Sequence, residues 1–253
     1  MKRKTVEMIA LGLFALTLAL STTRHAQAQD SKNLYPNMAP LDDYLMDRNA
    51  EIALARTAAP PSISKDATVM VLGRDGYETA IEGTNGFVCM VERSWMAAFD
   101  WSEFWNPKVR AADCLNPQAA RSIFPIVLLR SRMVMAGRSK AEILSAIKVA
   151  FENRQLPDLE SGAMAYMMSK SAYLTDEDDH KLSHLMFFTA VMDAKDWGSG
   201  AAGSPVKSAP YWFFSSKDLS QMKGLPPIRV FIVMAPDWSD ETPADGHADG
   251  HAH

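Results

Sequence analysis

Two histidines four residues apart are the first candidates for chemistry in this sequence. His180 and His184 follow an acidic run, residues 176–179. On a helix this spacing places both imidazoles on one face, and imidazole together with carboxylate is a common ligand set for Zn²⁺. Lys181 stands where a zinc protease of the H-E-x-x-H type needs its general base, so that class is excluded. The alternative is that the carboxylates are charges at a helix N-terminus or in a solvated loop.

The C-terminal segment, residues 241–253, repeats histidine and carboxylate and contains His247, His251 and His253. Such a tract can chelate Zn, Cu or Ni without a fold, because imidazole suits these metals and a free chain can wrap around the ion. An inert polar tail has the same composition. We expect a flexible tail, with metal binding by these three histidines as one hypothesis.

The first 28 residues have the three parts of a secretory signal peptide. Residues 2–4 are basic, residues 8–20 form an apolar run of about 13 residues, and small residues precede the expected cleavage after Ala28. The run is shorter than the roughly 20 residues of a spanning helix. We therefore expect a periplasmic or secreted protein with no transmembrane segment after cleavage.

The mature chain is acidic. Cleavage removes four basic residues and one acidic residue, so the net charge changes from -4 to about -7. Because nucleic acid requires a basic face, nucleic acid is excluded as a partner.

Cys89 and Cys114 are the only cysteines of the chain. In an oxidising compartment two thiols tend to join, so we expect a disulfide, which excludes both as thiolate nucleophiles. Closing a loop of about 26 residues would stabilise the fold by roughly 3 to 3.5 kcal/mol in the chain-entropy model. Two separate buried thiols are the alternative.

The helices and strands that position the candidate histidines and cysteines begin with a lead-in helical arm, predicted at residues 29–60. Three short strands follow at residues 67–72, 77–81 and 87–91. Because glycine-rich turns separate them, they predict a β-meander. Aromatic side chains are dense at residues 95–105, where they form either core or a ligand platform.

A helix pair is predicted next. Asn116 and Pro117 begin one helix that runs to Met135, and Ser139 with Glu142 forms a capping box for another. Further strands are predicted at residues 163–168, 184–190, 211–215 and 228–234. Residues 176–190 are ambiguous between helix and strand. The order predicts an α+β fold with a mostly antiparallel sheet, packed as a single domain over residues 61–240.

Four strings resemble a group of exported bacterial proteins that have no assigned activity. The strings are GTNGFVCM at residues 83–90, AMAYMMSK at 163–170, HLMFF at 184–188 and WSD at 238–240. The resemblance implies one continuous domain and favours a strand at His184. Ser183 replaces a proline of that pattern, and Ser199 begins a loop where the pattern has asparagine. No catalytic role follows from the resemblance.

Function therefore rests on hypotheses from different classes. The first is an exported protein that binds a small ligand or a metal ion without catalysis. The rival is a periplasmic hydrolase-type enzyme that uses His180, His184 and nearby carboxylates, and a third is an envelope-associated interaction module. An enzyme would require these groups to meet at an apolar pocket.

Overall fold

The computed structural model describes residues 34–176, 182–190, 194–206, 211–212 and 223–244. The predicted signal peptide, His180 and the three tail histidines lie outside these residues. No helix in the described ranges is both long enough and apolar enough to span a bilayer.

Helices and strands follow one another in the α+β pattern that the sequence predicts. The helices are α1 (Arg48–Arg56), α2 (Pro61–Ser64), α3 (Pro117–Ser122), α4 (Phe124–Met135) and α5 (Lys140–Glu152). The strands are β1 (Thr68–Gly73), β2 (Gly76–Ile81), β3 (Val88–Glu92), β4 (Ala111–Leu115), β5 (Met164–Met167), β6 (His184–Thr189), β7 (Tyr211–Trp212) and β8 (Arg229–Met234). Short 3₁₀ turns lie at Leu41–Tyr44, Ser94–Met96 and Ala194–Trp197.

The described strands form one sheet in the order β2-β1-β3-β4-β5-β6-β8-β7. Its pairings are antiparallel except for β1 with β3, which run parallel. The mostly antiparallel α+β prediction is confirmed, and β6 resolves His184–Thr189 as a strand.

The predicted β-meander is wrong in its third strand. β1 and β2 form the expected hairpin, but β3 pairs with the other side of β1. The cause is the turn at residues 83–86, which binds the chain before β1 instead of closing a hairpin on β2. Thr84 N donates to Asp66 O at 2.8 Å, and a Cβ on Gly83 would lie 2.1 Å from Thr68 N. Only glycine permits this crossing.

The predicted long helix after Asn116 is divided into α3 and α4. The Asn116 side chain caps α3 by accepting from Ala119 N at 2.9 Å, as expected. Pro125 lies in the first turn of α4, where its missing N–H costs nothing, but inside a continuous helix its ring would clash with the preceding turn. The chain therefore ends one helix and begins another. In α5 the capping box of Ser139 and Glu142 is present.

The sheet has helices on both faces. Successive residues of β1 and β3 point to opposite faces of the sheet. Val69 and Cys89 belong to the core cluster with Ala55 of α1, and Met70 and Met90 belong to the core cluster with Ile126 of α4. Tyr44, Ala55, Ala58 and Ala59 are therefore part of the core, and the prediction of a lead-in arm is wrong for this stretch. The expectation failed because the apolar residues of α1 are mostly alanines, which are too small to indicate burial by periodicity alone.

The aromatic segment belongs to the core. Trp95, Phe99, Phe104 and Trp105 are all buried, and Trp95 packs edge-to-face on Tyr44 with ring centroids 4.9 Å apart. The core interpretation of residues 95–105 is confirmed for these four rings.

Candidate functional site

His184 is the one predicted metal-ligating histidine among the described residues. It begins β6 and is buried, with Nδ1 2.7 Å from the carbonyl oxygen of Leu182. Because a carbonyl only accepts, Nδ1 carries the proton, and a metal would have to bind through Nε2. Within the described ranges no three His, Cys, Asp or Glu side chains gather in a way that could hold a metal ion.

Asp176, the first residue of the predicted acidic run, has a structural role. Its carboxylate accepts hydrogen bonds from the hydroxyls of Tyr35 and Tyr173, from Lys108 Nζ at 3.0 Å and from Asn106 Nδ2 at 3.1 Å. Partial burial alone would raise the pKa of Asp176, but these four donors lower it well below its usual range. Its oxygens are occupied, so Asp176 is a poor candidate for a metal ligand.

Glu103 holds residues 175 and 176 through its side-chain carboxylate. It is buried, and its carboxylate accepts from Thr175 Oγ1 at 2.6 Å and from Asp176 N at 3.0 Å. Sequence spacing could not reveal this cluster, because its members are about 70 residues apart in the chain.

The disulfide prediction is confirmed. Cys89 of β3 and Cys114 of β4 are directly paired in the sheet, bonded to each other and fully buried. Neither sulfur is available as a nucleophile.

A buried ion pair lies at the end of β3, on the face covered by α1. Arg93 Nη2 donates to Glu51 Oε1 at 2.8 Å, and both side chains are at most 1% exposed. The Arg93 guanidinium also donates to the carbonyl oxygens of Tyr44 and Val91. Since every charge here has a partner, the pair is a structural link between α1 and the sheet.

Two carboxyl groups face the opposite side of the sheet, and we call Glu92 and Asp113 the acidic dyad. In the β3–β4 register Met90 is opposite Asp113 and Glu92 is opposite Ala111, so the two acids are diagonal neighbours on one face. Asp113 is fully buried, whereas Glu92 is partly buried.

The environment of the acidic dyad disfavours two negative charges. Burial raises the pKa of Glu92 to about 7, against the lowering effects of a hydrogen bond with Asp113 and the charge of Arg130. Burial, and then the negative charge of Glu92, raise the pKa of Asp113 well above its usual range. Burial therefore favours the protonated form of both carboxyl groups.

Arg130 of α4 is the cation beside the acidic dyad. It is fully buried, donates through Nη2 to the carbonyl oxygen of Ala97 at 2.7 Å, and has its guanidinium 4.5 Å from the Phe99 ring centroid. Burial lowers the pKa of Arg130 to about 9, partly offset by Glu92. Perturbed groups of this kind are frequent at functional sites, although structural clusters also produce them.

The acidic dyad was not predicted from the sequence, although one sequence feature points to it. If Cys89 and Cys114 are directly opposite on antiparallel strands, the register makes Glu92 a diagonal neighbour of Asp113. Applying the disulfide as a register constraint would have found the pair.

A surface groove of about 220 Å³ lies between α4 and the end of α5. It is lined by apolar side chains with two polar ones, namely Pro125, Leu128, Leu129, Arg132, Ala150, Gln155 and Leu156. No member of the acidic dyad and no histidine lines it.

Comparison of the chain with models of known protein families, with curated proteins and with solved structures gave no match.

Proposed function

We propose that this protein is an exported binding protein that takes up a small amphipathic ligand without catalysing a reaction. The observation that carries the proposal is the separation of the groove from the titratable groups. An active site needs an acid or base within reach of a substrate pocket. The groove between α4 and α5 has Arg132 and Gln155 as its polar groups, and neither is a general base at neutral pH.

The lining of the groove indicates the class of ligand. Leu128, Leu129 and Leu156 offer apolar surface, and the Arg132 guanidinium favours a negatively charged group at the edge. The volume suits a compact ligand, because drug-sized sites begin at roughly 300 Å³. A small organic anion with an apolar body fits both features.

Two observations support export. The buried Cys89–Cys114 disulfide is of a kind that persists in oxidising compartments, and residues 1–28 have the composition of a signal peptide. Periplasm or secretion is thus part of the proposal.

The ligand is tested with 1-anilinonaphthalene-8-sulfonate, which combines an apolar ring system with one anionic group. We expect saturable binding to the mature chain at one site per molecule, under conditions where the near-ultraviolet circular dichroism is native. Leu128→Glu places a negative charge in the groove and should abolish binding. Arg132→Gln removes a partly exposed charge contact worth about 1 kcal/mol and should weaken binding about fivefold.

Arg138→Gln is the matched control, because Arg138 is an exposed arginine that does not line the groove. Unchanged affinity in Leu128→Glu and Arg132→Gln would refute the groove as the site. Hydrolysis of a nitrophenyl ester by the wild type, lost in Glu92→Gln, would instead favour the hydrolase.

Metal binding is the second form of the proposal, and it rests on the histidines and carboxylates that residues 176–184 and 241–253 combine. Zn, Cu and Ni should be measured by mass spectrometry in protein purified without a tag. The comparison forms are a chain ending at Asp240 and the His180→Ala/His184→Ala variant. Absence of stoichiometric metal in every form would refute metal binding.

A further inference from the structure

Asp113 is the starting point, because it is a fully buried carboxyl in the middle of β4. Neither of its oxygens has a hydrogen-bond partner of normal geometry among the described residues. An ionised carboxylate in this position would lose its hydration, which is unfavourable, and only the backbone N–H of Cys114 favours the charged form. The neutral acid avoids most of this cost, provided that its O–H finds an acceptor.

Glu92 supplies the acceptor. The diagonal position on β3 brings its carboxyl within hydrogen-bonding reach of Asp113. A protonated Asp113 donates to an ionised Glu92, and the pair then carries a single negative charge.

The surrounding charges balance that single negative charge. Arg130 faces the pair from α4 and contributes one positive charge. Tyr77 faces it from β2 and stays neutral, because burial raises its pKa. Glu51 and Arg93 lie on the α1 face and cancel each other. The cluster is thus neutral with one shared proton, and it gains a net charge if that proton leaves.

We propose that Glu92 and Asp113 share one proton in the folded protein and that the acidic dyad is thereby a pH-responsive lock: loss of this proton as the pH rises leaves two negative charges side by side in the core and destabilises the fold.

The shared proton is tested by infrared spectroscopy of the mature chain in heavy water. Near neutral pH ordinary carboxyl groups are ionised, so a carbonyl band of a protonated carboxylic acid identifies the dyad. We expect this band in the wild type and in the exposed control Glu160→Gln, and its loss in Asp113→Asn. A wild-type spectrum without the band would overturn the proposal.

The lock is tested by urea denaturation from about pH 5 to about pH 8. A carboxyl group whose pKa is higher in the folded state stabilises at low pH, and this contribution is lost as the pH rises through the folded-state pKa. The unfolding equilibrium constant of the wild type should therefore rise by up to tenfold per pH unit. The Glu92→Gln/Asp113→Asn variant has neither titrating carboxyl group, so its constant should stay nearly flat.

Identical pH profiles of unfolding for the wild type and the Glu92→Gln/Asp113→Asn variant would refute the lock.

Discussion

Replacing Glu51 by alanine should destabilise the protein more than most substitutions. Glu51 Oε1 accepts from Arg93 Nη2 at 2.8 Å and also from Leu72 N at 3.2 Å. Arg93 is fully buried, so Glu51→Ala leaves a guanidinium in the interior without its counter-ion and leaves a strand N–H without an acceptor.

The magnitude follows from these two losses. Breaking a buried ion pair by removing one partner costs about 3 to 5 kcal/mol. Leaving a buried N–H unsatisfied costs about 1 to 3 kcal/mol. Because both losses come from one oxygen, we expect a total near 4 to 6 kcal/mol. For a domain of this size the midpoint of thermal unfolding should fall by roughly 10 to 20 °C.

Urea denaturation followed by circular dichroism measures this loss. Glu78→Ala is the matched control, because Glu78 pairs with Arg48 in an exposed ion pair, and its loss should cost less than about 1 kcal/mol. Removing both charges with Glu51→Leu/Arg93→Met should cost less than Glu51→Ala, since no charge is then left buried. A loss below about 1 kcal/mol in Glu51→Ala would refute the buried pair and the packing of α1 on the sheet.

Three further predictions concern other elements. Cys89→Ala/Cys114→Ala should lower the free energy of unfolding by about 3 kcal/mol in urea denaturation, and an unchanged midpoint would contradict a role of the disulfide in stability. Ser139→Ala removes the cap of α5 and should cost about 1 kcal/mol, measured by thermal unfolding, and an unchanged midpoint would contradict a stabilising role of this cap. The lowered pKa of Asp176 means that its ionised form stabilises the fold above about pH 4 and that this contribution is lost as the pH falls, so Asp176→Asn should flatten the acid side of the stability profile; a profile that keeps the wild-type slope would refute this.

Local features of the fold were predictable because their causes are close in sequence. The α5 cap needs only Ser139 and Glu142, and the β1–β2 hairpin needs only the turn between two strand patterns. The strand β8 follows a pair of prolines and precedes Pro236, so its limits are marked on both sides. In each case residues within a few positions supply the hydrogen bonds or the steric limits that define the element.

The failed expectations involve partners that are distant in sequence. The position of β3 depends on the contact of Gly83 with the backbone before β1, which no period in the sequence reveals. The helix α1 packs on strands that follow it in the chain, and its Glu51 pairs with Arg93, which is 42 residues away. The acidic dyad likewise depends on a register between two strands.

The sequence by itself determined the α+β class and the pairing of Cys89 with Cys114, because composition, periodicity and the number of cysteines carry that information. The segment at His184–Thr189 was ambiguous between helix and strand in the sequence, and its pairing with β5 and β8 decided for a strand. Only the tertiary structure decided which polar groups meet. It placed Glu92 beside Asp113 and within the electrostatic influence of Arg130, and it surrounded the Asp176 carboxylate with four hydrogen-bond donors. The physical reason is that the ionisation of a group depends on burial and on neighbouring charges, and both arise only when distant segments pack together.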